Sequence, residues 1–377
     1  MKIVIINCFD TYENRIDMVY DYFIEHGHSV NIITSNFKHI QKTKRNDKKK
    51  NYLFIETRPY HKNLSYSRLL SHYEFSKRAF QAVEKLLPDL IYVTLPPNSL
   101  ALFANRYKKK HPEVKLYFDI IDLWPETMPT KGGVVTKFPY YVWRSLRNKN
   151  ILRANTVLTE CNLYQSVLQE LLKNHRSETL YLAKKGDVQE KWSILDNNQI
   201  NLCYLGSINN IIDITMIIKL VTALVNIKPT TIHIIGEGEN KQLLIDGLKN
   251  VGATVNYYGK VYDDKEKQQI FNKCHFGLNI MKESVCVGLT MKSVDYFYGG
   301  LPILNNIQAD TFELVKDENI GFNININNLT EIAARITNMT ASELHLMKNN
   351  THYQFERLFS HYAFQKKMNH IFGNIDR

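Results

Sequence analysis

Short runs of Ile, Val, Leu and Tyr recur along the chain, separated by longer stretches in which apolar positions return every three or four residues. The runs have the pattern of strands buried on both faces, and the longer stretches that of amphipathic helices. In the first half, strands are predicted at Ile3–Asn7, Val30–Thr34, Leu90–Thr94, Leu116–Ile120 and Thr156–Thr159, with helices at Asn14–His26, Arg68–Leu87 and Ser99–Lys110. Residues Lys184–Asn198 are polar without a period and are read as a linker. The alternation then restarts. Strands are predicted at Leu202–Leu205, Thr231–Ile235, Thr254–Tyr258, Phe276–Ile280 and Pro302–Leu304, and helices at Ile214–Val225, Asn240–Asn250 and Lys265–Lys273. A final helix, Phe359–Phe372, carries apolar Phe359, Ala363, Met368 and Ile371 and is expected to pack back across the domains.

Alternation of this kind argues for parallel sheets covered by helices. The fold class is therefore α/β, with two doubly wound, Rossmann-like domains facing each other across a cleft. Residues 1–185, with the C-terminal helix 359–377, form the first, and residues 186–358 the second. A length of 377 residues accommodates two such cores.

Composition narrows the class. The chain is 44% hydrophobic and 23% charged, as a globular protein is. Five scattered cysteines form no Cys-x-x-Cys pair, so neither a disulfide framework nor a zinc site is indicated, and a cytoplasmic location is expected. The N-terminal Met1–Asn7 reads as a strand, not a signal peptide, and no run approaches the ~18 apolar residues of a membrane span. The net charge of +11 sits partly in Lys38–Lys50, Arg106–Lys110 and Arg144–Lys149. No nucleic-acid motif accompanies it, so nucleic acid is set aside as a partner. Phe138–Arg147 interleaves aromatics with arginines, which suits a helix lying on an anionic membrane surface; packing of the rings into a core would give the same pattern.

The densest signal is Cys286–Leu304. A helix is predicted over Met291–Tyr298, stopped by Gly299-Gly300 and followed by Pro302 and an apolar strand. Gly288 lets backbone approach a ligand closely, and the N–H groups near Thr290 and Met291 form an anion site. Lys292 and Asp295, three apart, share one helix face. A cation and a carboxylate beside a helix start suit the phosphates and ribose hydroxyls of a nucleotide. An ordinary solvated helix face is the alternative.

Two further loops end strands of the second half: Gly206-Ser207, and Gly236-Glu237-Gly238. Glycine there permits a tight turn beside a phosphate, and ligands of open sheets bind beyond the carboxyl ends of strands. No Gly-x-Gly-x-x-Gly follows the first strand of either half and no P-loop occurs, which disfavours a dinucleotide-dependent dehydrogenase and an ATPase or kinase. In the first half, Asp122 and Glu126 of Asp119-Ile-Ile-Asp-Leu-Trp-Pro-Glu126 are candidates to accept a proton or bind sugar hydroxyls; capping of the turn before Pro125 by Asp122 is the alternative. Arg15 is a further candidate on that side. The histidines show no metal-ligand spacing, and no metal or other cofactor is expected.

Tyr204-Leu-Gly-Ser207, Ile234-Ile-Gly-Glu-Gly238, Tyr258-Gly-Lys-Val261, Phe276-Gly-Leu-Asn279 and Gly288 to Pro302, in this order, resemble the donor domain of GT-B glycosyltransferases, glycosyltransferase family 4 in particular. Asp119–Glu126 and Ala154–Glu160 resemble family segments of the first half. The resemblance implies a sugar-nucleotide donor between the domains. Lys260 and Val261 would lie at the base, Asp295 at the ribose, and Gly206, Ser207, Thr290 and Met291 around the diphosphate. It also implies catalysis without a metal, because a helix dipole neutralises the leaving group.

This sequence departs from the family at Val287, where a first glutamate is usual, at Ile121, and around Ser207–Asp213, where a basic pair is missing. Lys292 is expected to compensate and is counted, with Asp122, among the catalytic candidates. The resemblance is to the subgroup building capsule or exopolysaccharide units. It implies retaining transfer from a nucleoside-diphosphate sugar, UDP-sugar above all, to a saccharide or undecaprenyl-linked acceptor at the inner membrane surface. A sugar-nucleotide epimerase on this scaffold, or a silent partner subunit of a transferase, are the competing readings.

Overall fold

The computed structural model describes residues 1–45, 49–62, 65–128, 134–186, 192, 195 and 198–373, with the backbone alone over 134–139. The chain divides into two compact units, Met1–Tyr181 with Phe364–Arg377, and Leu182–Ala363.

The first unit is a seven-stranded sheet in the order β5-β2-β1-β6-β7-β8-β9, all parallel. Its strands are β1 (Lys2–Asn7), β2 (Ser29–Ser35), β5 (Tyr52–Ile55), β6 (Leu90–Leu95), β7 (Lys115–Ile120), β8 (Thr156–Thr159) and β9 (Ser177–Thr179). A two-stranded antiparallel pair, β3 (Phe37–Lys38) and β4 (Thr43–Lys44), follows β2. The helices are α1 (Glu13–Glu25), α2 (Tyr66–Leu86), α3 (Ser99–Lys110), α4 (Val134–Ile151), α5 (Asn162–Val167) and α6 (Gln169–Leu172). All six residues of β6 are buried, as a strand covered on both faces requires. The edge strands β5 and β9 were not expected from the sequence. They are short, and every residue of β9 is only half-buried.

The second unit has β10 (Ile200–Leu205), β11 (Thr230–Ile235), β12 (Thr254–Gly259), β13 (Phe276–Asn279), β14 (Ile303–Asn305) and β15 (Gly321–Asn323), ordered β12-β11-β10-β13-β14-β15 and parallel throughout. Its helices are α7 (Ile214–Val225), α8 (Lys241–Asn250), α9 (Asp264–Phe271), α10 (Met291–Tyr298), α11 (Asp310–Glu318), α12 (Leu329–Thr337) and α13 (Ala341–Gln354). Strand residues Leu202, Ile232, Phe276 and Leu304 share one core with Leu220 and Leu224 of α7, Leu248 of α8 and Ile336 of α12.

A π-helical turn, Phe355–Phe359, ends α13, and extended Ser360 precedes α14 (His361–Phe372), so the expected final helix begins two residues late. From Phe364 onward α14 belongs to the first unit: the Phe372 ring packs against those of Phe23 and Tyr117, and Tyr22 Oη donates to Asn369 Oδ1 at 3.1 Å.

Arg15, a candidate for acceptor contact, is instead a buried structural group. Its Nε and Nη2 donate to the two oxygens of Asp119 at 2.7 and 2.9 Å, and its remaining donors reach the carbonyls of Leu180 and Tyr181. Tyr92 Oη completes the Asp119 shell at 2.6 Å. This fork-to-fork pairing and the two carbonyl bonds use four of the five guanidinium N–H groups, and the side chain is 5% exposed, so it serves the interior of the first unit.

Candidate functional site

In the second unit the glycine loops converge through backbone contacts at the carboxyl edge of the sheet. Gly206 N–H donates to Ile235 C=O at 2.9 Å, Gly236 N–H to Gly259 C=O at 2.7 Å, and Ile208 N–H to Glu237 C=O at 2.9 Å. Gly236 has φ +152°, and a Cβ there would stand 1.9 Å from the Gly206 carbonyl oxygen, so only glycine lets the two loops touch. Lys260 is exposed and Val261 buried. Glu237 is held by Tyr257 Oη and, at 3.2 Å, by Lys241 Nζ.

The start of α10 lies over the end of β13. Thr290 is its N-cap: Oγ1 accepts from Ser293 N–H at 3.1 Å and shares a hydrogen bond with Ser293 Oγ. Gly288 is anchored from behind, its carbonyl accepting from Thr311 Oγ1 at 2.6 Å. Tyr296 Oη accepts from Leu205 N–H at 2.8 Å and donates to Cys203 C=O at 3.1 Å, which fixes α10 against β10.

Beneath the cap runs a feature the sequence did not disclose. Asn279, Asn305 and Asn323 close three neighbouring strands in register. Asn279 Nδ2 donates to Asn305 Oδ1 and Asn305 Nδ2 to Asn323 Oδ1, both at 2.8 Å, while Ser293 Oγ donates to Asn279 Oδ1 at 3.2 Å. The signal was there as asparagine at the end of three successive strands.

Lys292 is the most unusual group in this unit. Its Nζ is shut off from solvent and has no hydrogen-bond partner among the described residues. The ammonium stands 5.7 Å from the Tyr204 ring centroid, and burial pulls its pKa down to about 7. An unpaired ammonium in that setting is costly, and its stem passes the Gly206 loop, where a Cβ built on Gly206 would stand 3.9 Å from Lys292 Cδ. Met291 is exposed, as is Ser207. Asp295, one turn further along α10, is ion-paired to Lys184 at 2.5 Å.

In the first unit, Asp122 receives Trp124 Nε1 on Oδ2 at 2.6 Å and Thr127 Oγ1 on Oδ1. Burial raises its pKa despite these donors. Glu126 bridges Arg147 at 2.8 Å and Arg144 at 2.9 Å; these partners outweigh burial and hold its carboxyl below the usual range. Arg147 is thus interior, 1% exposed, and is not part of an outward basic face on α4; the exposed side chains described there are Tyr141, Val142, Arg144 and Lys149. The Phe138 side chain lies outside the described residues, as do residues 46–48 of the basic run, in which Arg45 and Lys49 both pair with Glu13. Arg68, which the sequence did not single out, is buried 4.4 Å from the Trp124 ring centroid, and Trp124 also lines a cavity of about 270 Å³ with Tyr66, Tyr73, Asn98 and Trp143. Among the described residues no cluster of His, Cys, Asp or Glu could hold a metal, and no helix is long and apolar enough to cross a membrane.

Two parallel, doubly wound units with glycine loops at a carboxyl edge define a class, and comparison with known structures agrees. Sucrose-phosphate synthase from Thermosynechococcus elongatus is similar over 100% of this chain and 99% of its own, with a TM-score of 0.71 at 12% identity. Anabaena HepE in complex with UDP and glucose is similar over 99% of both chains (TM-score 0.67, 13% identity), and so is the lipopolysaccharide outer core galactosyltransferase WaaB (TM-score 0.68, 14% identity). The fold is that of GT-B glycosyltransferases. Residues 247–371, most of which lie in the second unit, match the family described as "Glucosyltransferase 3-like, C-terminal domain". No curated protein sequence matches the chain.

Proposed function

We propose that this chain is a glycosyltransferase that moves a sugar from a nucleoside-diphosphate donor, UDP-sugar in the first instance, to a hydroxyl of a saccharide or lipid-linked saccharide. The observation that carries this reading is the Lys292 ammonium, desolvated and without a hydrogen-bond partner among the described residues at the start of α10. A diphosphate at Gly288–Met291 would meet the N–H groups of the first turn, and a swing of the flexible Lys292 stem would supply the missing counter-charge. The same donors stabilise the charge that grows on the departing nucleoside diphosphate. HepE, whose structures hold UDP with glucose and UDP-glucose, shares the fold and supports this choice of donor.

Retention of configuration, independence of metal, and a role in building bacterial surface polysaccharide belong to the same proposal. So does attachment to the cytoplasmic membrane face, for which exposed Tyr141, Val142 and Arg144 on α4 and the net charge of +11 speak. On the acceptor side, the Asp122 carboxylate already has a donor on each oxygen, so its proposed role is to orient Trp124 beside the bound saccharide. Val287, where a carboxylate is usual, favours a second reading: a subunit that binds donor without turning it over.

Calorimetry with UDP, UMP and pyrophosphate, followed by NMR of UDP-glucose and UDP-N-acetylglucosamine incubated with the protein, tests the scheme. UDP is expected to bind more tightly than UMP, and without acceptor the UDP-sugar is expected to be hydrolysed slowly, over hours, to free sugar and UDP. Binding without hydrolysis favours the silent subunit, a changed sugar in the intact donor favours the epimerase, and no binding removes the proposal.

A further inference from the structure

Lys184 is the third residue of the second unit, which begins at Leu182. Its backbone is fixed: the N–H donates to Phe359 C=O at 2.9 Å, and the residue bridges to Ser360 in parallel fashion. Its side chain is largely buried over the Tyr298 ring, 4.5 Å from the centroid, which pins the stem and aims the ammonium at two carboxylates. These are Asp264 Oδ1 at 2.7 Å and Asp295 Oδ1 at 2.5 Å. Lys267, from α9, approaches the same pair, at 2.7 Å from Asp264 Oδ1 and 3.6 Å from Asp295 Oδ1.

Both cationic contacts to Asp295 fall on one oxygen. A carboxylate offers about four lone-pair sites on two oxygens, so the second oxygen keeps its accepting capacity. Asp295 keeps 19% of its side chain exposed and sits one turn beyond the Thr290 cap. That spacing is what a ligand anchored by phosphate at the helix start and reaching along the helix with a diol would use.

We infer that Lys184 and Lys267 are positioning residues: they clamp Asp295 by Oδ1 so that Oδ2 is presented to the 2′,3′-diol of a nucleotide ribose. The inference rests on the reading of this unit as a nucleoside-diphosphate site. It gives the clamp a job that a simple staple between α9, α10 and the entering chain would not have, namely discrimination between ribose and 2′-deoxyribose. A hydrogen bond to a charged group is worth enough to make that discrimination roughly tenfold.

The experiment is calorimetric titration of wild type, Lys184→Met, Lys267→Met and Lys184→Arg with UDP, 2′-deoxy-UDP and pyrophosphate, with circular dichroism to establish folding. Methionine keeps the stem over Tyr298 and removes the charge. Wild type is expected to prefer UDP over 2′-deoxy-UDP about tenfold. Lys184→Met and Lys267→Met are expected to bring that ratio below about threefold while pyrophosphate affinity stays within about twofold, and Lys184→Arg to restore part of it. A ratio unchanged in both folded methionine variants overturns the inference, as does a loss shared equally by all three ligands. A wild-type protein that binds pyrophosphate and UDP without distinguishing 2′-deoxy-UDP also overturns it while leaving the diphosphate site standing. Binding of none of the three overturns the nucleotide reading and the clamp with it. If Lys184→Met fails to fold, Lys267→Met, whose side chain starts from the surface helix α9, carries the test alone.

Discussion

Ser293 Oγ donates to Asn279 Oδ1 at 3.2 Å, so the first turn of α10 is tied to the end of β13 by a side-chain bond. Because Asn279 in turn donates to Asn305, and Asn305 to Asn323, the helix start is registered against three strands at once. Asn279→Asp keeps the shape but replaces the donor facing Asn305 Oδ1 with a second acceptor. The expected cost is about 1–3 kcal/mol or more in urea unfolding, for an unsatisfied buried group. UDP affinity is expected to fall with it, and pyrophosphate affinity equally, since both use the same helix start.

Lys292 gives the protein a defined pH dependence. The folded, ligand-free protein releases this proton near pH 7, whereas an unfolded chain holds it to about 10.4. Between those values the unfolded state binds more protons, so this residue makes stability rise with pH; below 7 its full penalty is present. Lys292→Met is therefore expected to stabilise the protein most at pH 6 and progressively less towards pH 9, as read by thermal unfolding.

Anion binding runs in the opposite sense. A diphosphate draws Lys292 back to the ammonium form, so UDP binding above pH 7 takes up a proton. Affinity is expected to weaken by up to about tenfold per pH unit there and to lose this dependence in Lys292→Met. Titrations in two buffers of different ionisation enthalpy count the proton.

Gly236→Ala places a methyl carbon on the Gly206 carbonyl, and the backbone at φ +152° resists any L-residue. The two loops are expected to separate, abolishing measurable donor binding while the helical circular dichroism signal persists.

Arg15→Met leaves Asp119 buried without its counter-ion. A loss of about 3–5 kcal/mol in unfolding free energy is expected, with UDP affinity unchanged within about twofold, because the pair lies wholly in the first unit. A loss of transfer activity at full stability would instead return Arg15 to the acceptor.

What could be read from the sequence follows from how local each signal is. α10 was placed at Met291–Tyr298, because the Thr290 cap and the Gly299-Gly300 stop lie beside the residues they delimit. Buried strands such as β6 announced themselves as unbroken apolar runs, whereas β5, β9 and β15 are edge strands of only three or four residues, too short to show such a run even where, as in β15, two residues are buried. The glycine loops were legible because their place is set by the strands before them. Arg15 and Asp119 are 104 residues apart, and Lys184 and Asp295 are 111 apart, so nothing local distinguishes a buried pair from two surface charges. The asparagine ladder was missed for a related reason: asparagine is a poor strand former, and the recurrence at three strand ends gains meaning only once those strands are known to be neighbours.

The unpaired Lys292 ammonium also decides what the protein meets in practice. A cation that gains from any small oxyanion makes phosphate and sulfate competitors of the donor, by mass action alone. In a phosphate buffer the resting protein is expected to be partly occupied, its melting temperature raised and its apparent donor affinity lowered in proportion. The same holds inside a cell, where inorganic phosphate sets the baseline against which donor concentration must be judged.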